Sequence, residues 1–430
     1  MSGMTAEERF IQQQEELNKK LDRIANEDLP TANIIVAGIT GTGKSTLINA
    51  VFGSELAKTG SGQPVTEHID EYTNNDIPIH IWDTVGLELD SEKTAKSIAS
   101  IKETIAKKAS TDDQFDRVHA IWYCINSGSN RYQGTELEFI KELYSTHLPF
   151  IIVLTQCHGS KKNISEFEDK IREINEQEGL KDISIIQVLA KDYEIEIDED
   201  NTISKRAYGL NNLVDETLRR LPEFIKSGFV AAQRVSKSQK RAQCEDIIYE
   251  FAKAAKEGFW DKVPLINFIT TDKKIIRMLE RIGKIYNTVL TDDSIKRIDY
   301  QCRVNFGNNF WGLLAPIDFV GYNDKVKRLL SRKKQDGFEV KAEVLSQSDR
   351  AARMIVFYGY TFIESIEELW QKFTEEQLED VDIVVDNLIR IIDRKLRERS
   401  GTRETSYEKL SVDRGKQRRI FRSIIDDKNE

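Results

Sequence analysis

In Gly38-Ile39-Thr40-Gly41-Thr42-Gly43-Lys44-Ser45, a lysine and a hydroxyl stand directly behind a glycine-rich turn. That order fits G-x-x-x-x-G-K-[ST], in which successive backbone N–H groups surround phosphate oxygens. Gly38, Thr40, Gly41, Thr42, Gly43, Lys44, Ser45 and Thr46 are therefore expected to line a phosphate site. Lys44 has the length and charge to reach the β- and γ-phosphates of a nucleoside triphosphate, and Ser45 has the hydroxyl to hold Mg2+. The flanks carry as much weight as the turn. Asn33-Ile34-Ile35-Val36-Ala37 is short, apolar and β-branched, as a buried parallel strand should be. Thr46-Leu47-Ile48-Asn49-Ala50-Val51-Phe52 reads as the first turns of a helix, whose positive end favours anions.

A triphosphate site needs more groups, and the chain offers them in order. Asp83-Thr84-Val85-Gly86 closes the apolar strand expected at 78–83. Asp83 is read as a Mg2+ group acting through water. Gly86 is read as the residue whose N–H meets the γ-phosphate, where a side chain would not fit. Thr66 follows Gly60-Ser61-Gly62-Gln63-Pro64-Val65 in an expected loop. Its hydroxyl can join the Mg2+ shell and its N–H can meet the γ-phosphate, in a segment able to order and disorder. Lys44, Thr66 and Gly86 are thus the catalytic candidates, and Ser45, Thr66 and Asp83 the metal candidates.

Base recognition is expected at Thr155-Gln156-Cys157-His158, behind the strand at 149–155. A guanine reader of the form [N/T]-K-x-D supplies an aspartate that accepts from both N1–H and N2–H2. Here glutamine replaces the lysine and histidine replaces the aspartate, and a neutral imidazole offers one acceptor nitrogen. An exposed loop histidine with no ligand contact is an equal reading of His158. Leu189-Ala190-Lys191 follows the strand at 183–189. The Ala190 backbone could contact the base oxygen, and Lys191 could cover the ring.

Together these motifs resemble the five motifs of a translation-factor-class GTPase. Gly-Lys-Ser-Thr-Leu-Ile-Asn-Ala-Val and Asp-Thr-Val-Gly-Leu-Glu are similar to the Era-like and septin-like branch, whose domains are described as ribosome-binding-type GTPases. The likeness covers about 31–226. It implies Mg2+ as cofactor, GTP and GDP as ligands, hydrolysis of GTP, and switch segments at Thr66 and Gly86. The stretch 263–286, Val-Pro-Leu-Ile through Met-Leu-Glu-Arg-Ile-Gly-Lys-Ile-Tyr, resembles the YcjF-like helical domain that follows such GTPase domains in some bacterial proteins. Those relatives often carry membrane-like apolar helices. This chain has none, so their membrane role is not carried over.

Departures from the family pattern matter for chemistry. Leu87 stands where many signalling GTPases have a water-orienting glutamine, and leucine can neither donate nor accept. Slow hydrolysis is expected unless a partner or a dimer supplies help. Gly41 stands where potassium-activated relatives carry asparagine, which closes that route. The altered base motif makes ATP a competitor. Arg131, in the polar loop Ser127–Gln133, reads either as an arginine finger, across a dimer, or as a solvated loop arginine. The readings left open are a molecular switch with an unknown protein effector, a nucleotide-dependent scaffold with negligible turnover, and an ATP-using protein.

Around these groups the chain must supply a doubly wound α/β P-loop GTPase sheet followed by an all-α C-terminal domain. Strands are expected at 33–38, 67–73, 78–83, 118–125, 149–155 and 183–189, and helices near 44–52, 91–109, 134–145, 164–176 and 210–226. Beyond 226 only helices are expected, near 233–258, 272–290, 298–311, 341–372 and 374–398. The division is 1–30, an amphipathic helix; 31–226, the GTPase domain; 227–400, the helical domain; and 401–430, a charged tail. The first of these opens on a Thr5-x-x-Glu8 capping box and repeats Phe10, Leu17, Leu21 and Ile24 at helical spacing.

Composition sets the outer bounds. The 430 residues are 39% hydrophobic and 31% charged with net charge -9, enough for two or three domains and too acidic for nucleic-acid binding by the chain as a whole. Cys124, Cys157, Cys244 and Cys302 are widely spaced without C-x-x-C, which reads as reduced thiols in a cytoplasmic protein. No apolar run approaches the ~20 residues of a membrane span. The basic runs Lys325–Lys334 and Arg414–Arg419 read as solvated faces or as contacts to acidic lipid or RNA.

Overall fold

Ala32–Gly38 (β1) is buried along its whole length, as a strand covered on both faces must be. The structure is a computed structural model that describes residues 12, 16, 19, 28–53, 56, 63–66, 69–74, 77–84, 91–111, 113–129, 132, 134–198, 201–257, 267–288, 290–291, 293–298, 347–374, 377–378 and 380–400. β1 pairs in parallel with Ile77–Thr84 (β4) on one side and Ala120–Asn126 (β5) on the other. Phe150–Thr155 (β6) and Ser184–Gln187 (β7) extend the parallel sheet. On the far side, Ile69–Asn74 (β3) runs antiparallel to β4, and Gln63–Thr66 (β2) runs antiparallel to β3. The order is β2-β3-β4-β1-β5-β6-β7.

β2 corrects the expected loop around Thr66. Val65 and Thr66 are β-branched, and Pro64 is tolerated because an edge strand need not donate every N–H. A second addition is the hairpin of Tyr193–Asp198 (β8) and Asn201–Lys205 (β9), which forms its own two-stranded sheet. Its strict polar–apolar alternation, Tyr-Glu-Ile-Glu-Ile-Asp, is the signal for a half-buried strand.

Helices cover both faces of the large sheet. Alternation along β5 sends Trp122 and Cys124 into one core and Ile121, Tyr123 and Ile125 into the other. Lys44–Phe52 (α1), Leu210–Arg220 (α5) and Glu223–Ala232 (α6) close the first core, where Phe52 and Phe229 flank Trp122. The Trp122 indole N–H donates to the Thr217 hydroxyl at 3.1 Å. Ser91–Ala109 (α2), Thr135–Tyr144 (α3) and Lys161–Gln177 (α4) close the second through Ile101, Phe139 and Phe167. The helix expected at 210–226 is two helices. Pro222 brings no N–H to an ongoing ladder, so α5 stops and α6 begins after it.

Lys237–Glu257 (α7) and Asn267–Ile285 (α8) belong to the same compact unit, which runs through Val289. The change of sequence pattern at 227 thus falls inside that unit. The second unit, from Leu290 onward, contains Gln347–Lys372 (α9) and Val381–Ser400 (α10), packed through Leu369, Val384 and Ile391. Thr374-x-x-Gln377 predicts the start of the helix expected at 374–398, and its capping box forms, with reciprocal bonds of 3.1 and 3.4 Å. It does not open α10, however. Asp380 does so, accepting from the N–H groups of Asp382 and Ile383 at 3.0 and 3.1 Å.

Of the expected N-terminal helix, Gln12, Glu16 and Lys19 are helical and exposed, and its apolar residues lie outside the described ones. Of the expected helix at 298–311 only Ile298 is described, as helical and buried, and both basic runs and the tail lie outside the described residues. No described helix is long and apolar enough to cross a membrane.

Candidate functional site

Parallel register sets the carboxyl ends of the strands side by side: Val36 beside Asp83, Gly38 beside Cys124, and Asn126 beside Thr155. In an open α/β sheet that edge borders the ligand crevice. Gly38 must be glycine, because its φ is +148° and a Cβ would lie 2.4 Å from the Cys124 carbonyl oxygen. Gly43 caps α1 in the left-handed region, with no side chain bonded to the helix start. The first N–H groups of α1 are therefore left for an outside acceptor. Thr42 closes the turn by donating from its hydroxyl to the Ile39 carbonyl at 2.8 Å. Lys44 is buried, and its ammonium donates to the carbonyls of Gly38 at 3.0 Å and Ile39 at 3.4 Å. Thr40, Gly41, Ser45 and Thr46 are exposed around it.

Asp83 is buried at the end of β4, and its Oδ1 has no hydrogen-bond partner. Burial raises its carboxyl to about 6, against the opposing pull of Lys44 and with a further push from Asp70. The neighbouring Thr84 hydroxyl is also buried without a partner. An orphaned oxygen beside a phosphate loop calls for an explanation, and a hydrated hard cation supplies one for Asp83. Ser45 and Asp83 thus fit Mg2+, whereas Thr84, the next residue along β4, points to the opposite face of the sheet. Thr66 pairs with Ile69, which pairs with Thr84, so its backbone lies two strands from Thr84 at the same end of the sheet. Gly86, Leu87 and Arg131 lie outside the described residues.

The expected base motif divides between two jobs. Thr155 and Gln156 serve the phosphate loop. The Thr155 hydroxyl bonds the Thr42 carbonyl, and the Gln156 amide donates to the Gly41 carbonyl at 2.7 Å. Asn126 donates to the Gln156 side-chain oxygen at 3.2 Å, and the Ser127 hydroxyl donates to the Gln156 carbonyl at 3.1 Å. Gln156 holds this place with a φ of +53°. Ser127 lies in the expected polar loop, and Asn126 falls between that loop and the strand expected at 118–125, with no site role expected for either.

His158 turns the other way. It is half-buried and stacks on Tyr193, with ring centroids 4.3 Å apart and planes 25° apart. It is therefore not an exposed loop histidine. The turn that carries it is tied down from the hairpin side. Lys205 donates to the carbonyls of Cys157 at 2.8 Å and Gly159 at 3.0 Å, and the Tyr208 hydroxyl donates to Cys157 at 3.1 Å. Leu189 and Tyr208 exchange backbone bonds of 3.0 Å, which brings Ala190 and Lys191 to the same corner. Ala190 is half-buried against the core and Lys191 is exposed. Tyr193, Lys205 and Tyr208 were missed. Only the alternation of β8 could have pointed to the first of them.

The family model described as 50S ribosome-binding GTPase matches residues 33–156. The match ends before the helical region. Among solved structures, Era from Aquifex aeolicus is 17% identical over 53% of this chain and 68% of its own, with a TM-score of 0.31. Toc33 from Arabidopsis thaliana is 17% identical over 49% of this chain and 94% of its own, with a TM-score of 0.32. Translation elongation factor SelB from Methanococcus maripaludis is 16% identical over 45% of this chain and 35% of its own, with a TM-score of 0.30. This chain spans 26–35% of the length of the elongation factors it matches. A search of curated proteins finds no match.

Proposed function

We propose, from the premise that this chain carries a P-loop GTPase domain, that it binds GTP with Mg2+, hydrolyses it slowly, and works as a molecular switch. The observation that carries this is the meeting at one sheet edge of the uncapped α1 start, the Lys44 ammonium and the orphaned Asp83 oxygen. The α1 N–H groups and Lys44 would hold the β- and γ-phosphates. Ser45, Thr66 and Asp83 would hold Mg2+, which neutralises phosphate charge when bound.

In the reaction, a water oxygen attacks the γ-phosphorus and the bond to the β–γ bridging oxygen breaks. GDP leaves, and both protons of the water end on the released phosphate, as H2PO4−. Positioning and electrostatics from Lys44 and the backbone N–H groups of the phosphate loop and Gly86 do this work. Leu87 offers the water no hydrogen bond, which supports slow turnover and help from a second copy or an effector. In this reading residues 31–226 bind nucleotide in the cytoplasm and 227–400 carry the change to a protein partner.

Leu87 also favours a second reading, a nucleotide-dependent scaffold that hardly turns over. The two separate on turnover per molecule against protein concentration. A rising rate indicates a self-activated GTPase, and a flat rate near zero indicates the scaffold. The binding claim rests on Lys44→Ala, which should weaken GTP binding about 100-fold by calorimetry. Unchanged binding would remove the proposal.

A further inference from the structure

The turn at 156–159 has almost no free acceptor. The Gln156 carbonyl takes the His158 N–H at 2.7 Å and the Ser127 hydroxyl at 3.1 Å. The Cys157 carbonyl takes both Lys205 and Tyr208, and the Gly159 carbonyl takes Lys205. The Gln156 side chain is committed to Gly41 and Asn126. A carbonyl oxygen has two lone pairs, so the first two carbonyls are full. Besides the second lone pair of the Gly159 carbonyl, the His158 ring is the side-chain group this turn has left to offer a base. Tyr193 covers one face of that ring, and the ring nitrogens lie on its edge.

We propose that His158, held by Tyr193 at the root of the β8–β9 hairpin, reads a purine through one ring nitrogen, and that the site is blind to the 2-amino group. This rests on the nucleotide-binding reading above and sharpens its substrate class. Guanine presents two adjacent donors, N1–H and N2–H2. A carboxylate accepts both, whereas one imidazole nitrogen accepts one. The group that separates guanine from hypoxanthine then finds no partner, and inosine and guanosine triphosphates are bound alike. His158 determines specificity, and Tyr193 is a positioning residue. Of the two carboxylates that flank Tyr193, Asp192 has its Oδ1 held by the Ala207 N–H at 2.7 Å and Glu194 is exposed.

The test is a competition titration of the full chain with GTP, ITP and ATP in Mg2+ buffer. Wild type is expected to bind GTP and ITP within about 3-fold of each other. His158→Asp restores a second acceptor and should raise the GTP preference over ITP by about 10- to 100-fold. Tyr193→Leu should weaken both nucleotides together by several-fold, and Tyr193→Phe, which keeps the ring, should restore them. A wild-type preference for GTP over ITP above 10-fold would overturn the inference while leaving GTP binding intact. If that preference vanished in Asp192→Asn, the second acceptor would be Asp192. Failure of every purine triphosphate to bind would overturn the nucleotide site itself, and the inference with it.

Discussion

Glu136 is buried in the first turn of α3, and burial raises its carboxyl to about 7, with the Tyr123 hydroxyl at 3.4 Å opposing. The folded state then holds a proton that the unfolded chain, with an ordinary carboxyl near 4.5, has already lost. Stability from this group is therefore present at low pH and falls as pH rises from about 4.5 to 7, by on the order of 3 kcal/mol. Glu136→Gln should flatten that fall, so that its melting temperature exceeds wild type at pH 8 and matches it near pH 4.5. Gln156→Ala is a second expectation at this scale. Losing the bond to Gly41 should cost about 1 kcal/mol of stability and roughly 10-fold in GTP affinity, read by melting and calorimetry. The phosphate-loop residues and Asp83 were legible in the sequence because their geometry is made by the chain immediately around them. Asn126, Tyr193 and Lys205 were not, because each acquires its role from a partner brought close only by folding.

At the scale of elements, the parallel strands were legible because continuous apolar runs bounded by turns have no other comfortable home. β2 was hidden by its proline and its length, and β8 by the charged residues at every second position of its sequence. The start of α10 shows how two capping signals compete. Thr374 and Gln377 do form their box, yet Asp380 supplies the oxygen at the start of α10. Asp380→Ala should therefore lower the stability of the second unit by about 1 kcal/mol, whereas Thr374→Ala should leave the start of α10 intact by hydrogen exchange.

For the molecule as a whole, a composition change at 227 marks a change of secondary structure and not an end of packing. A chain ending at 226 would cut α6 and remove the buried Phe229 and Ala232 from the core beside Trp122. A chain ending at Val289 keeps the first compact unit. The longer piece is expected to fold and bind GTP within about 3-fold of the full chain, and the shorter to melt at least 10 °C lower, by the size of large-to-small core losses. Equal melting of the two pieces would show that α7 and α8 add nothing to the nucleotide-binding core.

Arg234 gives that continuity a mechanical meaning. Its N–H donates to the Val51 carbonyl at 2.8 Å, in the last turn of the helix whose first turn would face the phosphates in the proposed site. Its guanidinium rests on Gly53, where a Cβ would lie 2.9 Å from Cζ. Just beyond, the buried Lys240 ammonium clasps the Ala231 and Ile285 carbonyls at 2.6 Å each, pinning the ends of α6 and α8 together. α1 is thus a short rod with the proposed nucleotide site at one end and a riveted joint at the other. Any axial travel of the rod either shears the Val51–Arg234 rivet or hauls the joint, and with it the tips of two further helices.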